Sequence, residues 1–235
     1  MKKKWTQLKN GDLAQQAEEV LTQHIVSGEL SPGSYLPPEQ ELCQKLGIGR
    51  STLREAVSVL QSKGLVERRH GVGVRVIDQS QQAASQMLQL MLRRQRASDG
   101  DLLEMRRLYE SQAAAWAAER ATATDLKTIR ATLDGMHAAK DTPEEYARMD
   151  LDFHRAVAAS THNEVLRLFV ETIRTLLHDA ILANLKTDFR PDRTLQYHEQ
   201  VFDAIQRKDA DEASRAMAQH LDDAEEMMDR TGDGA

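Results

Sequence analysis

Asp150 and His154 stand four residues apart in the run Asp150-Leu151-Asp152-Phe153-His154, so a helix through them puts both on one face. His198, in LQYHEQVFDAI, and His220, in AMAQHLDDAEEMM, fall on two later segments with helical spacing. One carboxylate and three imidazoles converging inside a helical bundle would suit zinc, nickel or manganese. The chain holds 8 histidines, so spacing leaves a second reading open, in which each imidazole lies on the surface of its own helix. Asp152 points about 160° around the helix from His154. No general base therefore stands beside the proposed ligands, which weighs against a metalloenzyme that activates water.

A second grouping lies near the N-terminus. Residues 39–76 read EQELCQKLGIGRSTLREAVSVLQSKGLVERRHGVGVRV. Glu41, Leu42, Lys45 and Leu46 fit a short helix, and Gly47-Ile48-Gly49 breaks it. After Ser51, the residues Leu53, Ala56, Val57 and Leu60 recur at helical spacing until Gly64. Two short strands joined at His70-Gly71 follow. Helix, turn, helix, hairpin is the winged helix-turn-helix plan. Arg50 and Arg54 lie one turn apart, where a guanidinium can pair with guanine O6 and N7. Ser51 and Thr52 at the helix start suit a phosphate. Gly71 at the wing tip permits close approach to a minor groove, with His70 as its probe. The alternative is that Arg50 and Arg54 only solvate a surface helix.

The elements that must carry these residues are mostly helical. Hydrophobic residues make up 40% of the 235 and aromatics only 4%, while helix formers abound. The length suits two domains. We place a winged helix-turn-helix at 1–78 and an all-α antiparallel bundle at 79–235. The first helix runs from Asp12 to about Ser27. Further helices are predicted near 80–96, 100–121, 124–139, 143–159, 163–184, 191–207 and 210–228, with Asp99, Thr122 or Thr124, Thr142 and Asn163 as N-caps. Through Asp78 there are 11 Lys and Arg against 9 Asp and Glu, a balance of +2; the remainder has 20 against 28, or −8. A basic head on an acidic body agrees with nucleic-acid binding by the head. A lone Cys43 fits a reducing compartment. No apolar run approaches a membrane span, and the polar stretch after Met1-Lys2-Lys3-Lys4 is unlike a signal peptide. The expectation is a cytoplasmic chain with no membrane partner.

The head resembles the GntR family of bacterial transcription regulators through LxPGxxLPxExELxxxLGxxRxTxREAxxxLxxxGLVERRxGxGxxV. That pattern runs here from Leu30 to Val76. The resemblance implies DNA contacts at Gln40, Arg50, Ser51, Thr52, Arg54, His70 and Gly71. The family often has Arg where this chain has Gln40, so operator preference should differ at that contact. The body resembles the FadR-type branch with its FCD sensor domain, through Glu104, Arg106 and Glu110 (ExRxxxE), then Asp150, His154, His198 and His220. In the metal-binding subset, one Asp and three His hold an ion and a small carboxylate ligand completes its coordination. The resemblance thus implies a divalent metal (zinc foremost, with nickel and manganese as alternatives) at Asp150, His154, His198 and His220. It implies an effector near Arg106 and Asn163. Arg106 has a competing role as the i,i+4 partner of Glu110, and Asn163 as a helix cap. His162 stands where the family usually has Gly. The function implied is a ligand-responsive regulator, a repressor in the family's usual manner. It would be a homodimer on an inverted repeat of double-stranded DNA, sensing a small carboxylate or sugar acid. A metal-dependent enzyme and a metal-ion sensor are the alternative readings.

Overall fold

The computed structural model describes residues 5, 8, 11–187 and 189–232, without the side chains of 99, 177–181, 183–187 and 227–232. The chain divides into two compact units, Met1–Leu90 and Met91–Ala235.

In the first unit α1 (Leu13–Val26), α2 (Glu39–Leu46) and α3 (Arg50–Ser62) precede a hairpin of β1 (Val66–Arg69) and β2 (Gly73–Val76). Asp12 caps α1, its carboxylate accepting from the Ala14 and Gln15 amides at 3.0 Å. Gly47 ends α2 at φ 71°. Gly64 ends α3 at φ 69°, and a Cβ there would lie 2.5 Å from the Gln79 carbonyl oxygen. Only glycine fits that close approach. The hairpin pairs antiparallel, Val66 opposite Val76 and Arg69 opposite Gly73. Residues 33–36 lie along the other side of β2, with the Leu36 amide donating to Val74 at 2.8 Å and Tyr35 bridged to Arg75. Leu21, Leu42, Leu46, Leu53, Leu60, Val66 and Val76 form one apolar core.

Helix α4 (Ser80–Gln95) leaves the hairpin, and the division between units falls inside it. The sequence boundary of 1–78 and 79–235 follows the end of the hairpin. The units divide later because Ile77 and Gln79 donate to the Leu65 and Gly64 carbonyls at 2.9 Å, tying the start of α4 to the head.

The second unit is all helical: α5 (Asp99–Arg120), α6 (Ala123–Ala138), α7 (Pro143–Ala159), α8 (Glu164–Thr187), α9 (Pro191–Gln206) and α10 (Ala210–Gly232). Ser98 caps α5, in a capping box with Asp101, so the cap lies one residue before the predicted Asp99. Thr122 and Asp125 form another at α6. Thr142 occupies the N-cap of α7 without a side-chain bond, with Pro143 opening the helix. Buried Ala113, Ala114, Ala117 and Ala118 give α5 a small-residue face, and α5 packs closely on α10. Ile129, Leu133, Tyr146, Phe153, Leu195, Phe202, Ile205 and Met217 build the core. No described helix is long and apolar enough to cross a membrane.

Candidate metal centre and nucleic-acid interface

The body brings Asp150, His154, His198 and His220 together. One ligand atom from each lies within 4.8 Å of all the others. Asp150 and His154 come from α7, one turn apart. His198 comes from α9 and His220 from α10. All four are buried, His198 completely. The Nε2 atoms form a triangle: His154 to His198 3.3 Å, His198 to His220 3.1 Å, His220 to His154 3.2 Å. The Asp150 Oδ1 lies 3.3 Å from His198 and 3.8 Å from His154. A neutral imidazole nitrogen is either a donor or an acceptor. With three nitrogens and two roles, at least one edge of the triangle must join like roles, so the rings cannot satisfy one another. A cation at the centre removes the conflict by taking all three lone pairs. Nitrogens about 2.0–2.1 Å from a tetrahedral zinc stand about 3.3–3.4 Å apart, close to the spacing here. The residues therefore fit a divalent metal.

Electrostatics keeps the set ready for a cation. Burial lowers the pKa of all three imidazoles, His198 and His220 most, so they stay neutral. Burial alone would raise the Asp150 carboxyl, but Arg174 foremost outweighs it and holds the group ionised. Arg174, on α8, donates through Nη2 to Asp150 Oδ2. Spacing arguments missed this residue. Its signal was a charge on the inward face of α8, one turn after buried Val170. The Arg174 Nε and Nη1 groups, and the Tyr109 hydroxyl, are buried without a hydrogen-bond partner.

Arg106 is buried and its Nε donates to Glu110 Oε1 at 2.7 Å, the i,i+4 pair that competed with an effector role. Asn163 takes its competing role too. Its side-chain oxygen accepts from the Val165 and Leu166 amides at 3.1 Å each and caps α8. His162 adopts φ 53°, the left-handed conformation, and this explains why glycine suits the position. Its ring meets Asp125 at 3.1 Å. Of the histidines outside the cluster, His24 is buried and stacks on Trp5. His137 pairs with Glu199 on the surface, and the side chain of His178 lies outside the described residues.

In the head, Gln40, Arg50, Ser51, Arg54, His70 and Gly71 are exposed and Thr52 is half-buried. Gly49 is the N-cap of α3 and supplies no side-chain bond, so the first amides of that helix remain available to an anion. Arg54 pairs with Glu39 through Nε and Nη2 at 3.2 Å each. Gly71 turns the wing at φ 72° with open space around it. A cleft of about 580 Å³ runs between α3 and the wing, lined by Leu53, Arg54, Arg68, Arg69 and His70 among others.

A winged helix-turn-helix joined to a helical domain with a buried Asp-His cluster defines a DNA-binding regulator with a sensing body. Residues 13–76 match the gntR family of bacterial regulatory proteins, and residues 101–223 match the FCD domain. The chain belongs to this family, in its FadR-type branch, whose members are ligand-responsive transcription regulators rather than enzymes. It is 31% identical to the HTH-type transcriptional regulator LutR of Bacillus subtilis, over 87% of this chain and 95% of that one. It is 35% identical to the galactonate operon transcriptional repressor of Escherichia coli, over 83% and 88%. Among solved structures, a Streptococcus agalactiae GntR protein shares the fold with a TM-score of 0.71 at 24% identity, covering 90% of this chain and 98% of that one.

Proposed function

We propose that this protein is a cytoplasmic, homodimeric regulator of a catabolic operon, a repressor relieved by a small carboxylate or sugar acid. The effector binds at one divalent metal per body, zinc foremost, held by Asp150, His154, His198 and His220. The observation that carries the reading is the convergence of those four buried side chains within 4.8 Å. The names of the galactonate and Uxu operon regulators, each over 30% identical to this chain, support a sugar acid as the effector class.

A metal held there would supply positive charge that favours an anion in the body. Arg106 and Arg174 add to that field, and the Arg174 Nε–H, which has no hydrogen-bond partner among the described residues, is available to a carboxylate. Asn163, whose oxygen caps α8, remains the second effector candidate beside Arg106. In the head, Arg50 and Arg54 read guanine edges, while Gln40, Ser51, Thr52, His70 and Gly71 meet phosphates and the groove floor. One recognition helix covers too few bases for a specific site, so two copies read an inverted repeat. An exposed apolar stripe on α8, formed by Val165, Leu168 and Phe169, supports a second copy as its cover.

The test uses untagged, full-length protein. Elemental analysis should give one divalent metal per chain. The protein should shift DNA from upstream of its own gene and release it on adding D-galactonate, D-glucuronate or L-lactate, tried singly. Absence of stoichiometric metal sinks the site. Failure to shift any upstream fragment sinks the regulator reading.

A further inference from the structure

His154 has two ring nitrogens, and the proposed metal set uses only one. Nε2 faces His198 and His220 at 3.3 and 3.2 Å. Nδ1 points the other way and meets the Oε2 atom of Glu110 in a close ion-pair contact, and neither of these two buried atoms has a hydrogen-bond partner elsewhere among the described residues. Glu110 is a residue of α5, a helix that supplies none of the four metal-facing side chains. It is 2% exposed and is itself held from two sides. Arg106 donates to Oε1 at 2.7 Å, and Arg174 Nη1 lies 3.8 Å from Oε2. Arg174 continues the chain of charges to Asp150 through Nη2. Two buried guanidiniums thus alternate with two buried carboxylates, which removes the penalty of leaving any one of them unpaired.

We propose that Glu110 is the positioning residue of the metal centre. It accepts the Nδ1–H of His154 and so fixes the tautomer whose Nε2 lone pair faces His198, His220 and Asp150. A ligating histidine whose remaining N–H is given to a carboxylate is held in orientation and made more basic. Arg106 acts through Glu110: it orients that carboxylate and compensates its buried charge. This gives the spaced pair Arg106 and Glu110 a role distinct from holding effector. It also ties α5 to the cluster through one side chain. The inference rests on the metal reading above.

Two measurements test it on the full-length protein. The first needs no variant at Glu110. Histidine-labelled, metal-free protein at pH 7.5 is probed by long-range 1H–15N correlation, with His154 assigned by the signal lost in His154→Gln. A protonated Nδ1 and an unprotonated Nε2 are expected; a protonated Nε2 overturns the proposal. The second is zinc affinity by chelator competition. Glu110→Leu should weaken it by about 10–100-fold. Glu110→Gln, whose carbonyl still accepts the Nδ1–H, should fall between Leu and wild type. Unchanged affinity in both variants overturns the proposal and leaves the metal site standing. A wild-type chain that takes up no zinc overturns the metal reading, and the tautomer measurement still decides the Glu110–His154 bond. If the variants do not fold, the tautomer in the wild-type protein decides the proposal by itself.

Discussion

The guanidinium of Arg174 on α8 donates to the carboxylate of Asp150 on α7, with both side chains buried and a triangle of imidazoles on the far side of the carboxylate. Asp150 therefore stands between a fixed cation and the proposed metal. Removing Arg174 leaves a buried carboxylate without its partner in the metal-free protein. Arg174→Met should cost about 3–5 kcal/mol there, read by urea denaturation after chelation. Zinc should recover much of that loss, because the metal compensates Asp150 from the other side. Equal losses with and without zinc would mean that Asp150 does not serve a metal.

The three buried imidazoles set a pH dependence for the metal-free body. Their folded pKa values are lowered by burial first, and after that by Arg174 for His154 and by the neighbouring imidazoles for His198 and His220. The unfolded chain therefore binds more protons at pH values below about 6.5, and stability falls as pH falls through that range. Above it the contribution is fully present. Thermal melting of chelated protein should show a decreasing midpoint from pH 7.5 to pH 5. His198→Asn should flatten that slope, and an unchanged slope would remove His198 from the account.

Operator binding should depend on Arg50 and Arg54. Changing either to Ala should cost about 1–3 kcal/mol on operator DNA and less on scrambled DNA. Glu39 holds Arg54 through Nε and Nη2. Glu39→Gln should then narrow the ratio between operator and scrambled DNA, since it frees the guanidinium and removes a negative charge beside the phosphates. Mobility shifts at one fixed salt concentration give the ratio. Equal loss on both DNAs in the arginine variants would make those residues phosphate contacts.

His162 offers a stability test away from both sites. Its left-handed backbone is strained for any residue with a Cβ. The exposed pair with Asp125 returns little. His162→Gly should raise stability by about 0.5 kcal/mol, while His162→Ala should lower it, because Ala keeps the strain and loses the pair. Chemical denaturation of the zinc-loaded protein distinguishes them. A loss for Gly as large as that for Ala would show that the pair, and not the backbone, governs the position.

The outer stripe of α8 should carry the second copy. Phe169 is 58% exposed and stands one turn from Val165. Phe169→Asp should convert the dimer to monomer in light scattering while leaving the zinc content of each chain unchanged. A dimer of unaltered size would move the interface elsewhere.

Much of this was legible along the chain because the signals are local. Helix periodicity, the glycines at 47 and 64, and the caps at Asp12 and Thr122 act over three or four residues, and the elements fall where those residues require. A cap can be placed from sequence only to within one residue, since Ser98 and Asp99 can both accept an amide; the capping box with Asp101 selects Ser98. Asp150 and His154 could be paired from spacing, because one turn of helix separates them. The winged head could be recognised because its motif is nearly continuous in sequence.

What the sequence alone determined, then, was the set of elements and the residue types each one offers. Tertiary structure decided which of those residues meet. Spacing could not join His198 and His220 to α7, since that depends on how α9 and α10 pack. It offered Arg106 two roles, and packing shows that its Nε is given to the buried Glu110. Arg174 and the Nδ1 partner of His154 come from helices far apart in sequence, and only packing brings their charges into one buried chain. The physical reason is range. Capping and periodicity are decided within one turn, whereas a buried charge is tolerated only where a distant segment delivers its partner.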